Sequence, residues 1–343
     1  MRTLVTGTEG YIGCILAPEL MRQGHEVLGV DTGFFRDGWL FHGTQLTPRT
    51  LVKDIRAISP EDLEGVEAVV HAAELSNDPT GELAPHITYE INHKASVRLA
   101  QLAKAAGVRR FVYMSSCSVY GLGSGDDLVD EESPVNPQTT YAECKTLVER
   151  DLAPLADDGF TPSYMRNATA YGASPRMRFD CVVNNLAGLA WTTNEIVLTS
   201  DGTPWRPNVH LLDIVKAVIA VLEAPADTVR NQAFNVGSTE QNHRIRGIAE
   251  IVAEAFPGCV IRFGEPSPDN RSYRVSFDKI HRTLPDFSCD WDVRRGVRQL
   301  HRVFRQIEMG EETFLYRSFT RLKQLQHLMR TRQIDEQFFW TET

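Results

Sequence analysis

Hydrophobic and polar positions in the first half of the chain alternate between short apolar runs and longer segments with helical spacing. The short runs predict strands at residues 2–6, 26–30, 67–71 and 109–114. The helical spacing predicts helices at residues 11–23, 86–106 and 137–157. Strands that alternate with helices are typical of βαβ units, so the pattern predicts an α/β fold with a parallel sheet.

The pattern becomes less regular beyond about residue 165. Gly and Pro cluster at residues 171–175 and 201–207, and the helical spacing weakens. We expect a first domain, 1–165, and a smaller mixed α/β lobe, 166–343, with some chain exchange between the two. Leucines among Arg and Lys at residues 314–339 predict an amphipathic C-terminal helix for packing or subunit contact, with a membrane-surface role as the alternative.

The composition excludes several classes of function. The chain has 343 residues, of which 42% are hydrophobic, enough for a large core. Its net charge of −9 repels polyanions, so nucleic acid is not an expected partner. Six scattered cysteines and ten histidines have no metal-ligand spacing, which predicts reduced thiols and no metal site. Because the chain has no long apolar run and opens directly into a predicted strand, we expect a cytoplasmic protein without a membrane partner.

A glycine-rich loop joins the first predicted strand to the first predicted helix. Gly7, Gly10 and Gly13 form a GxxGxxG pattern, which lets the backbone approach a pyrophosphate at a helix N-terminus. Asp31 ends the next strand, where a carboxylate can accept hydrogen bonds from the adenosine ribose. These residues predict a dinucleotide site, with a glycine turn that binds no ligand as the alternative.

The choice of nicotinamide cofactor also depends on Asp31. A 2′-phosphate beside this carboxylate would bring like charges together, so NAD is favoured over NADP. Arg36 is close enough in sequence to weaken that argument. Asp54, with Ile55, is a further candidate to contact the adenine, and a solvated loop aspartate is the alternative.

Three further residues can carry out alcohol oxidation. Tyr141 and Lys145 lie on one face of a predicted helix, and Ser116 follows a strand at the carboxyl edge of the sheet. A tyrosine acts as a general base only when its pKa falls by about 3 units from about 10. Lys145 and a positive nicotinamide ring together can lower it, while Ser116 aligns the same substrate oxygen. The alternative is a buried tyrosine beside a lysine with a buried stem.

These motifs resemble the extended short-chain dehydrogenase/reductase family, in particular its nucleotide-sugar epimerases and dehydratases. The resemblance is carried by residues 6–13, Asp31, 54–55, 71–73, Asn92, 115–121, Tyr141, Lys145, 166–172, 202–210 and Asp213. It implies a Rossmann-type doubly wound parallel sheet that holds NAD, and a smaller lobe that binds a nucleoside diphosphate sugar. It also implies a homodimer through helices around residues 93–106 and 141–155.

The resemblance implies site residues position by position. Ser116, Tyr141 and Lys145 match the catalytic triad. Cofactor contacts are implied for Gly7, Gly10, Tyr11, Ile12, Gly13, Asp31, Asp54, Ile55, Ala72, Tyr141 and Lys145. Substrate contacts are implied for Ser116, Cys117, Ser118, Thr169, Asn185, Arg206 and Arg271. The two arginines match groups that contact the nucleotide and its diphosphate, as guanidinium chemistry favours. His71 and Asn92 are expected to hold backbone in place.

The sequence departs from the family pattern in two places. Members that remove water carry an Asp-Glu pair directly after the catalytic hydroxyl residue, and here those positions are Cys117 and Ser118. A thiol and a hydroxyl do not replace an acid and a base, so 4,6-dehydration is disfavoured. In the Arg-xx-Asn-x-Tyr-Gly segment, Thr169 replaces the usual Asn, and an Asn stands at 167 instead.

We therefore expect an NAD-dependent nucleotide-sugar epimerase that transiently oxidises C4 of an NDP-hexose. An NDP-4-keto-sugar reductase that uses the same residues is the alternative, and a dehydratase or decarboxylase comes third. A non-enzymatic NAD-sensing module is disfavoured, because a sensor does not need Ser, Tyr and Lys together.

Overall fold

The computed structural model describes residues 1–43, 46–122, 127–265 and 272–341. Its strands are β1 (Arg2–Thr6), β2 (Glu26–Asp31), β3 (Arg49–Val52), β4 (Ala68–His71), β5 (Arg110–Tyr113), β6 (Leu128–Val129), β7 (Thr161–Asn167), β8 (Thr169–Tyr171), β9 (Glu195–Val197), β10 (Trp205–His210), β11 (Gln232–Val236), β12 (Asn242–Arg244), β13 (Val260–Arg262) and β14 (Arg274–Val275). Its α-helices are α1 (Gly13–Arg22), α2 (Asp78–Leu83), α3 (Pro85–Thr88), α4 (Ser96–Ala105), α5 (Thr140–Leu152), α6 (Val182–Thr193), α7 (Leu211–Glu223), α8 (Ala226–Val229), α9 (Ile245–Ala255), α10 (Asp278–Thr283), α11 (Val293–Gln306), α12 (Glu311–Leu315) and α13 (Arg321–Arg330). A π-helix, Tyr89–Ala95, connects α3 to α4.

Seven parallel strands form the main sheet in the order β11-β7-β5-β4-β1-β2-β3. Successive side chains on a strand point to opposite faces, and both faces are covered by helices. Val5 belongs to the core beneath α1 and α7, whereas Leu4 belongs to the core beneath α4 and α5. The sheet confirms the predicted α/β fold with a doubly wound parallel sheet.

The strand order reverses at β1, because the chain first adds β2 and β3 on one side and then β4 and β5 on the other. A crevice forms at the carboxyl ends of strands where the order reverses, and ligands bind there in folds of this kind. The predicted strands match β1, β2, β4 and β5 to within one residue at every end. The sheet therefore brings the glycine loop and the residues after β4 and β5 to one edge.

Helix α5 begins later than the predicted helix 137–157. The Thr139 hydroxyl accepts a hydrogen bond from the backbone N–H of Ala142 at 3.2 Å, which is an N-terminal cap. The cap fixes the start of α5 and so the position of Tyr141 in its first turn.

Part of the second half of the chain belongs to the main sheet and not to the smaller lobe. Residue 165 lies inside β7, and β11 pairs with β7 at the edge of the sheet. The remaining elements, including the sheet β12-β10-β8 and helices α6, α9 and α11, surround a separate core. Phe179 and Phe304 belong to that core, with ring centroids 5.9 Å apart.

The C-terminal residues do not form the single helix predicted for 314–339. Helix α12 ends at Leu315, Thr320 is extended, and α13 ends at Arg330. Phe338 has a φ of +61°, which no continuing helix allows. Phe319 and Phe338 are both fully buried, so tertiary packing rather than helical periodicity decides the conformation. No helix in the described part of the chain combines the length and apolarity that spanning a membrane requires.

Candidate active site

A cavity of about 460 Å³ opens at the carboxyl edge of the main sheet and reaches into the smaller lobe. Every residue with an implied cofactor contact lines it: Gly7, Gly10, Tyr11, Ile12, Gly13, Asp31, Asp54, Ile55, Ala72, Tyr141 and Lys145. Four residues with an implied substrate contact also line it: Ser116, Ser118, Thr169 and Arg206. The fold thus brings together predicted site residues that are up to 199 positions apart, from Gly7 to Arg206.

The glycine loop lies at one end of this cavity. Gly7 has a φ of +79°, and a Cβ at Gly13 would lie 1.9 Å from the Gly7 carbonyl oxygen. Any larger residue at Gly13 would therefore collide with the turn. Within the described chain no side chain caps the start of α1 at Ile12. The backbone N–H groups of Cys14 and Ile15 already bond the Gly10 and Ile12 carbonyl oxygens, so the N–H groups immediately before Cys14 are the ones left for a ligand. This backbone cradle fits a pyrophosphate.

Asp31 is fixed in orientation at the end of β2. Its carboxylate accepts backbone hydrogen bonds from Glu9 at 2.9 Å and from Gly33 at 2.8 Å. Burial raises the pKa of Asp31, and these two hydrogen bonds oppose the increase. The carboxylate is thus held against the cavity in the position predicted for the adenosine ribose.

Asp54 is already engaged within the protein. Its carboxylate caps the short helix Ile55–Ala57 and forms an ion pair with Arg56 at 2.8 Å. Ile55 is buried and lines the cavity beside it. Asp54 therefore shapes the loop, and Ile55 supplies an apolar surface to the cavity.

The three predicted catalytic side chains meet at the centre of the cavity. The Lys145 ammonium lies 5.4 Å from the centroid of the Tyr141 ring. The Ser116 hydroxyl is near enough to the Tyr141 phenol to lower its pKa, and the Ser116 oxygen accepts the Ser118 backbone N–H at 3.1 Å. The arrangement can take a proton from an alcohol oxygen placed against Ser116 and Tyr141.

The pKa of Tyr141 in this structure lies above its ordinary value. Burial is the main cause, and the neighbouring carboxylates of Glu74 and Asp78 raise the pKa further. Lys145 and the neighbouring Ser116 hydroxyl lower the pKa of Tyr141, as the sequence predicts for Lys145. Lys145 alone does not offset burial, so the expected decrease in pKa requires the second positive charge, that of the nicotinamide ring.

Glu74 is a site residue that the sequence analysis missed. Its carboxylate forms an ion pair with Lys145, whose ammonium also donates to the Met114 carbonyl oxygen. Glu74 accepts a further hydrogen bond from the Tyr113 hydroxyl at 2.6 Å. The sequence gives one indication of this role. Glu74 follows His71, the last residue of β4, by three positions, which places it at the carboxyl edge of the sheet.

Two residues with implied substrate contacts do not line the cavity. Cys117 is 1% exposed, its thiol donates to the Arg166 carbonyl oxygen, and burial raises its pKa well above the ordinary value. The Asn185 side-chain amide donates to the Phe179 carbonyl oxygen at 2.9 Å. The structure thus turns both side chains toward the protein. Arg271 lies outside the described residues.

Two buried oxygen atoms along the cavity have no partner within the described chain. They are the Ser118 hydroxyl oxygen and the Asn167 amide oxygen. Both atoms are themselves buried although their residues line the cavity, and an unsatisfied buried polar group costs about 1–3 kcal/mol, so a polar group that reached either atom would stabilise the site. Asn167, the shifted asparagine of the sequence, lines the same cavity as Thr169.

His71 and Asn92 hold structure beneath the cavity. His71 bridges Thr6 and Ser96, each at 2.7 Å. Asn92 bonds the backbone N–H and carbonyl oxygen of Leu75 at 2.9 and 3.0 Å. Among the described residues, no group of three or more His, Cys, Asp or Glu side chains is placed to hold a metal ion.

Comparisons with known proteins agree with this site. A sequence model of the NAD dependent epimerase/dehydratase family matches residues 3–237. The UDP-glucose 4-epimerase of Bacillus subtilis (strain 168) is 25% identical over 335 residues, which cover 88% of this chain and 94% of that protein. The UDP-N-acetyl-alpha-D-glucosaminuronate decarboxylase of Bacillus cytotoxicus is 24% identical over 331 residues, which cover 90% of this chain and 98% of that protein.

Among solved structures, TunA is an NAD-dependent NDP-hexosamine 5,6-dehydratase. It has a TM-score of 0.76 and 25% identity, and the match covers 89% of this chain and 98% of that chain. These relatives carry out different reactions on one fold. The glycine cradle and Asp31 fit NAD, the cofactor of the matched family. The chain is an NAD-dependent enzyme of the extended short-chain dehydrogenase/reductase type and belongs to the NAD dependent epimerase/dehydratase family.

Proposed function

We propose that the protein is a nucleotide-sugar epimerase that inverts C4 of an NDP-hexose by transient oxidation. The observation that carries the proposal is Tyr141, Ser116 and Lys145 in one cavity, without an acid-base carboxylate pair at positions 117 and 118. Cys117 is buried away from the cavity, so it supplies no acid there. The similarity to a UDP-glucose 4-epimerase supports the same reaction.

The side chains have distinct roles in this reaction. Ser116 donates a hydrogen bond to the C4 hydroxyl oxygen and aligns it, and ionised Tyr141 takes the hydroxyl proton. Bound NAD supplies the acceptor for the C4 hydrogen and its electron pair, and the source from which they return. Lys145 stabilises the Tyr141 phenolate. When the hydrogen has returned to the opposite face of C4, Tyr141 gives its proton back to the oxygen.

The sugar nucleotide extends toward the smaller lobe in this proposal. Arg206 lines that part of the cavity, with its guanidinium 5.7 Å from the centroid of the Tyr273 ring. A guanidinium there suits a diphosphate, since it can donate two parallel hydrogen bonds. Ser118 and Asn167, each with an oxygen that has no partner in the described chain, line the same cavity.

The reaction is tested with purified protein and no added cofactor. UDP-, dTDP-, GDP- and CDP-hexoses are incubated with the protein, and the products are identified by NMR. We expect a 4-epimer from at least one of them, no turnover by Tyr141→Phe, and retained NAD in that variant. Tyr164→Phe is the control, because the Tyr164 hydroxyl bonds Asn231 away from the cavity.

Other outcomes would contradict the epimerase. Consumption of added reduced cofactor with a 4-keto sugar would identify the reductase. Loss of water or of carbon dioxide would identify a dehydratase or a decarboxylase. Binding of NAD with no product from any sugar nucleotide would also overturn the proposal.

We also propose a homodimer through residues 93–106 and 141–155, as the family resemblance implies. These segments lie side by side, and His93 pairs with Asp151 at 2.7 Å. Val97 and Leu147 are partly exposed beside this pair. Light scattering is expected to give twice the chain mass of 38.5 kDa. A mass of one chain at micromolar concentration would exclude the dimer.

A further inference from the structure

The C-terminal segment, residues 317–341, crosses from the smaller lobe to the NAD-binding side of the cavity. It begins beside α6 of the smaller lobe, where the Phe319 carbonyl oxygen accepts the Phe179 backbone N–H at 2.8 Å. It ends near β2, where the Trp340 indole N–H donates to the Thr32 carbonyl oxygen at 2.7 Å. The segment lies outside residues 3–237, which the family sequence model matches.

The segment holds the loop that follows β2 and Asp31. The Gln324 side-chain amide donates to the Phe34 carbonyl oxygen at 2.8 Å, and Trp340 packs on Phe34 with ring centroids 5.4 Å apart. Phe34 is buried and lines the cavity. The wall on the adenosine side of the cavity therefore depends on contacts from the C-terminus.

The same segment holds the loop that follows β3. The Arg56 guanidinium lies 3.8 Å from the centroid of the Phe339 ring and donates to the Gln337 carbonyl oxygen at 2.8 Å. Arg56 is also the ion-pair partner of Asp54, beside Ile55 in the cavity wall. Both loops predicted to receive the adenosine half are thus tied to the C-terminal segment.

Arg321 is the residue by which this segment enters the cavity. It is 4% exposed, its guanidinium lies 4.0 Å from the centroid of the Phe35 ring, and it lines the cavity. Its positive charge acts on Asp31, at the ribose position, and on Cys14, at the start of α1. Arg321 and Asp31 thus line the same cavity, so the guanidinium is on the side where the adenosine half of a dinucleotide is expected.

The charge around Arg321 is incompletely balanced. Arg178, which also lines the cavity, forms an ion pair with Asp180 at 2.8 Å. The Arg321 guanidinium makes one hydrogen bond within the described chain, to the Ser318 carbonyl oxygen at 3.4 Å, while its backbone N–H donates to Asp180. Burial and the charge of Arg178 lower the pKa of Arg321 to about 10, which still leaves it charged at neutral pH. Asp180 and Asp31 act on this charge from nearby, but neither accepts a hydrogen bond from the guanidinium in the described chain. A buried guanidinium whose one hydrogen-bond partner is neutral favours an anion.

We propose that the C-terminal segment is part of the cofactor site and that Arg321 binds the phosphate groups of the dinucleotide. The segment closes the adenosine side of the cavity and slows release of the cofactor. The inference rests on NAD as cofactor and not on the proposed epimerase reaction, so a binding experiment separates the two.

The first test compares ligands with and without phosphate. Binding of NAD, ADP and adenosine is measured by calorimetry for the wild type, Arg321→Gln and Arg321→Lys. We expect Arg321→Gln to weaken NAD and ADP at least tenfold and adenosine less than twofold, and Arg321→Lys to recover part of the loss. Lys323→Gln is the control on the same helix, because Lys323 is exposed.

Each outcome of this test decides the role of Arg321. An equal loss for ADP and adenosine would mean that Arg321 supports the fold only. Unchanged binding of all three ligands would mean that it does not contact phosphate. The comparison of ADP with adenosine within one variant does not depend on the fraction of protein that folds.

The second test examines the C-terminal segment and not the charge of Arg321. Exchange of bound NAD for isotopically labelled NAD is followed by mass spectrometry in the wild type and in Trp340→Ala. We expect exchange at least fivefold faster in Trp340→Ala, because the loop after β2 loses its contacts. Phe263→Ala is the control, since Phe263 has a similar exposure of 41% and lies in the smaller lobe. Equal exchange rates would overturn the role of the segment.

Discussion

The ammonium of Lys145 forms an ion pair with the carboxylate of Glu74, and the two side chains are only 4% and 3% exposed. The pair lies beside Tyr141, so the base is influenced by both charges. Glu74 raises the pKa of Lys145 and keeps it charged despite burial. The same carboxylate raises the pKa of Tyr141 and so opposes the effect of Lys145.

Glu74→Gln removes this opposing charge and preserves the size of the side chain. With Lys145 still charged, the pKa of Tyr141 is expected to fall, because the negative charge that raised it is gone. The acid limb of kcat/KM against pH reports ionisation of the base and should move to lower pH. Glu64→Gln, at an exposed position, should leave the limb in place. A limb that stays in place or moves to higher pH in Glu74→Gln would refute this role.

Gly13→Ala should abolish binding of NAD. The new Cβ would lie 1.9 Å from the Gly7 carbonyl oxygen, so the loop must open and lose its cradle. The control is Gly247→Ala within α9, where a Cβ meets no atom within 4 Å. That change should keep NAD and raise the free energy of unfolding by about 0.5–1 kcal/mol. NAD content per chain, measured after gel filtration, checks both variants; full NAD content in Gly13→Ala contradicts the prediction.

His71 should make the protein less stable in mild acid. Burial lowers its pKa to about 3, whereas the pKa in an unfolded chain is about 6.5. Between these values the unfolded chain binds a proton that the folded chain does not, so stability falls as pH decreases from about 6.5 toward 3. In urea titrations at pH 7 and pH 5, His71→Gln should show a smaller loss between the two pH values than the wild type. The exposed residue His42, changed to Gln, should show the wild-type loss, and an unchanged loss in His71→Gln would exclude His71 as its source.

Ser118→Ala should weaken substrate binding and leave NAD in place. The Ser118 hydroxyl oxygen has no partner in the described chain and lines the cavity, so its removal costs the fold little. A lost hydrogen bond of about 1–1.5 kcal/mol corresponds to roughly a tenfold rise in KM. Ser288→Ala, on the exposed surface, serves as the control in the steady-state assay. An unchanged KM in Ser118→Ala would show that the sugar nucleotide lies elsewhere.

The sequence predicts the main sheet and the centre of the site because both follow from local pattern. Parallel strands end at one edge, so Gly7 after β1 and Ser116 after β5 must approach each other. The helical spacing of Tyr141 and Lys145 places both on one face of α5. These relationships need no knowledge of distant packing.

Other parts of the site depend on contacts between distant segments. Arg321 and Asp31 are separated by 290 positions, and no local pattern shows that they share a cavity. Cys117 and Ser118 are neighbours, yet the turn after β5 buries the first and exposes the second to the cavity. The C-terminal residues follow the surface on which they pack, which is why the spacing of their leucines predicts a continuous helix that does not form.

The position of strand β11 limits how the chain can be divided into fragments that fold. It forms the edge of the sheet next to β7, although some 65 residues of chain intervene between Asn167 and Gln232. A fragment that stops near residue 165 would leave an open strand edge and an uncovered apolar face where α7 packs, and such surfaces aggregate. Neither half is therefore a self-sufficient folding unit, and melting should proceed in one cooperative step.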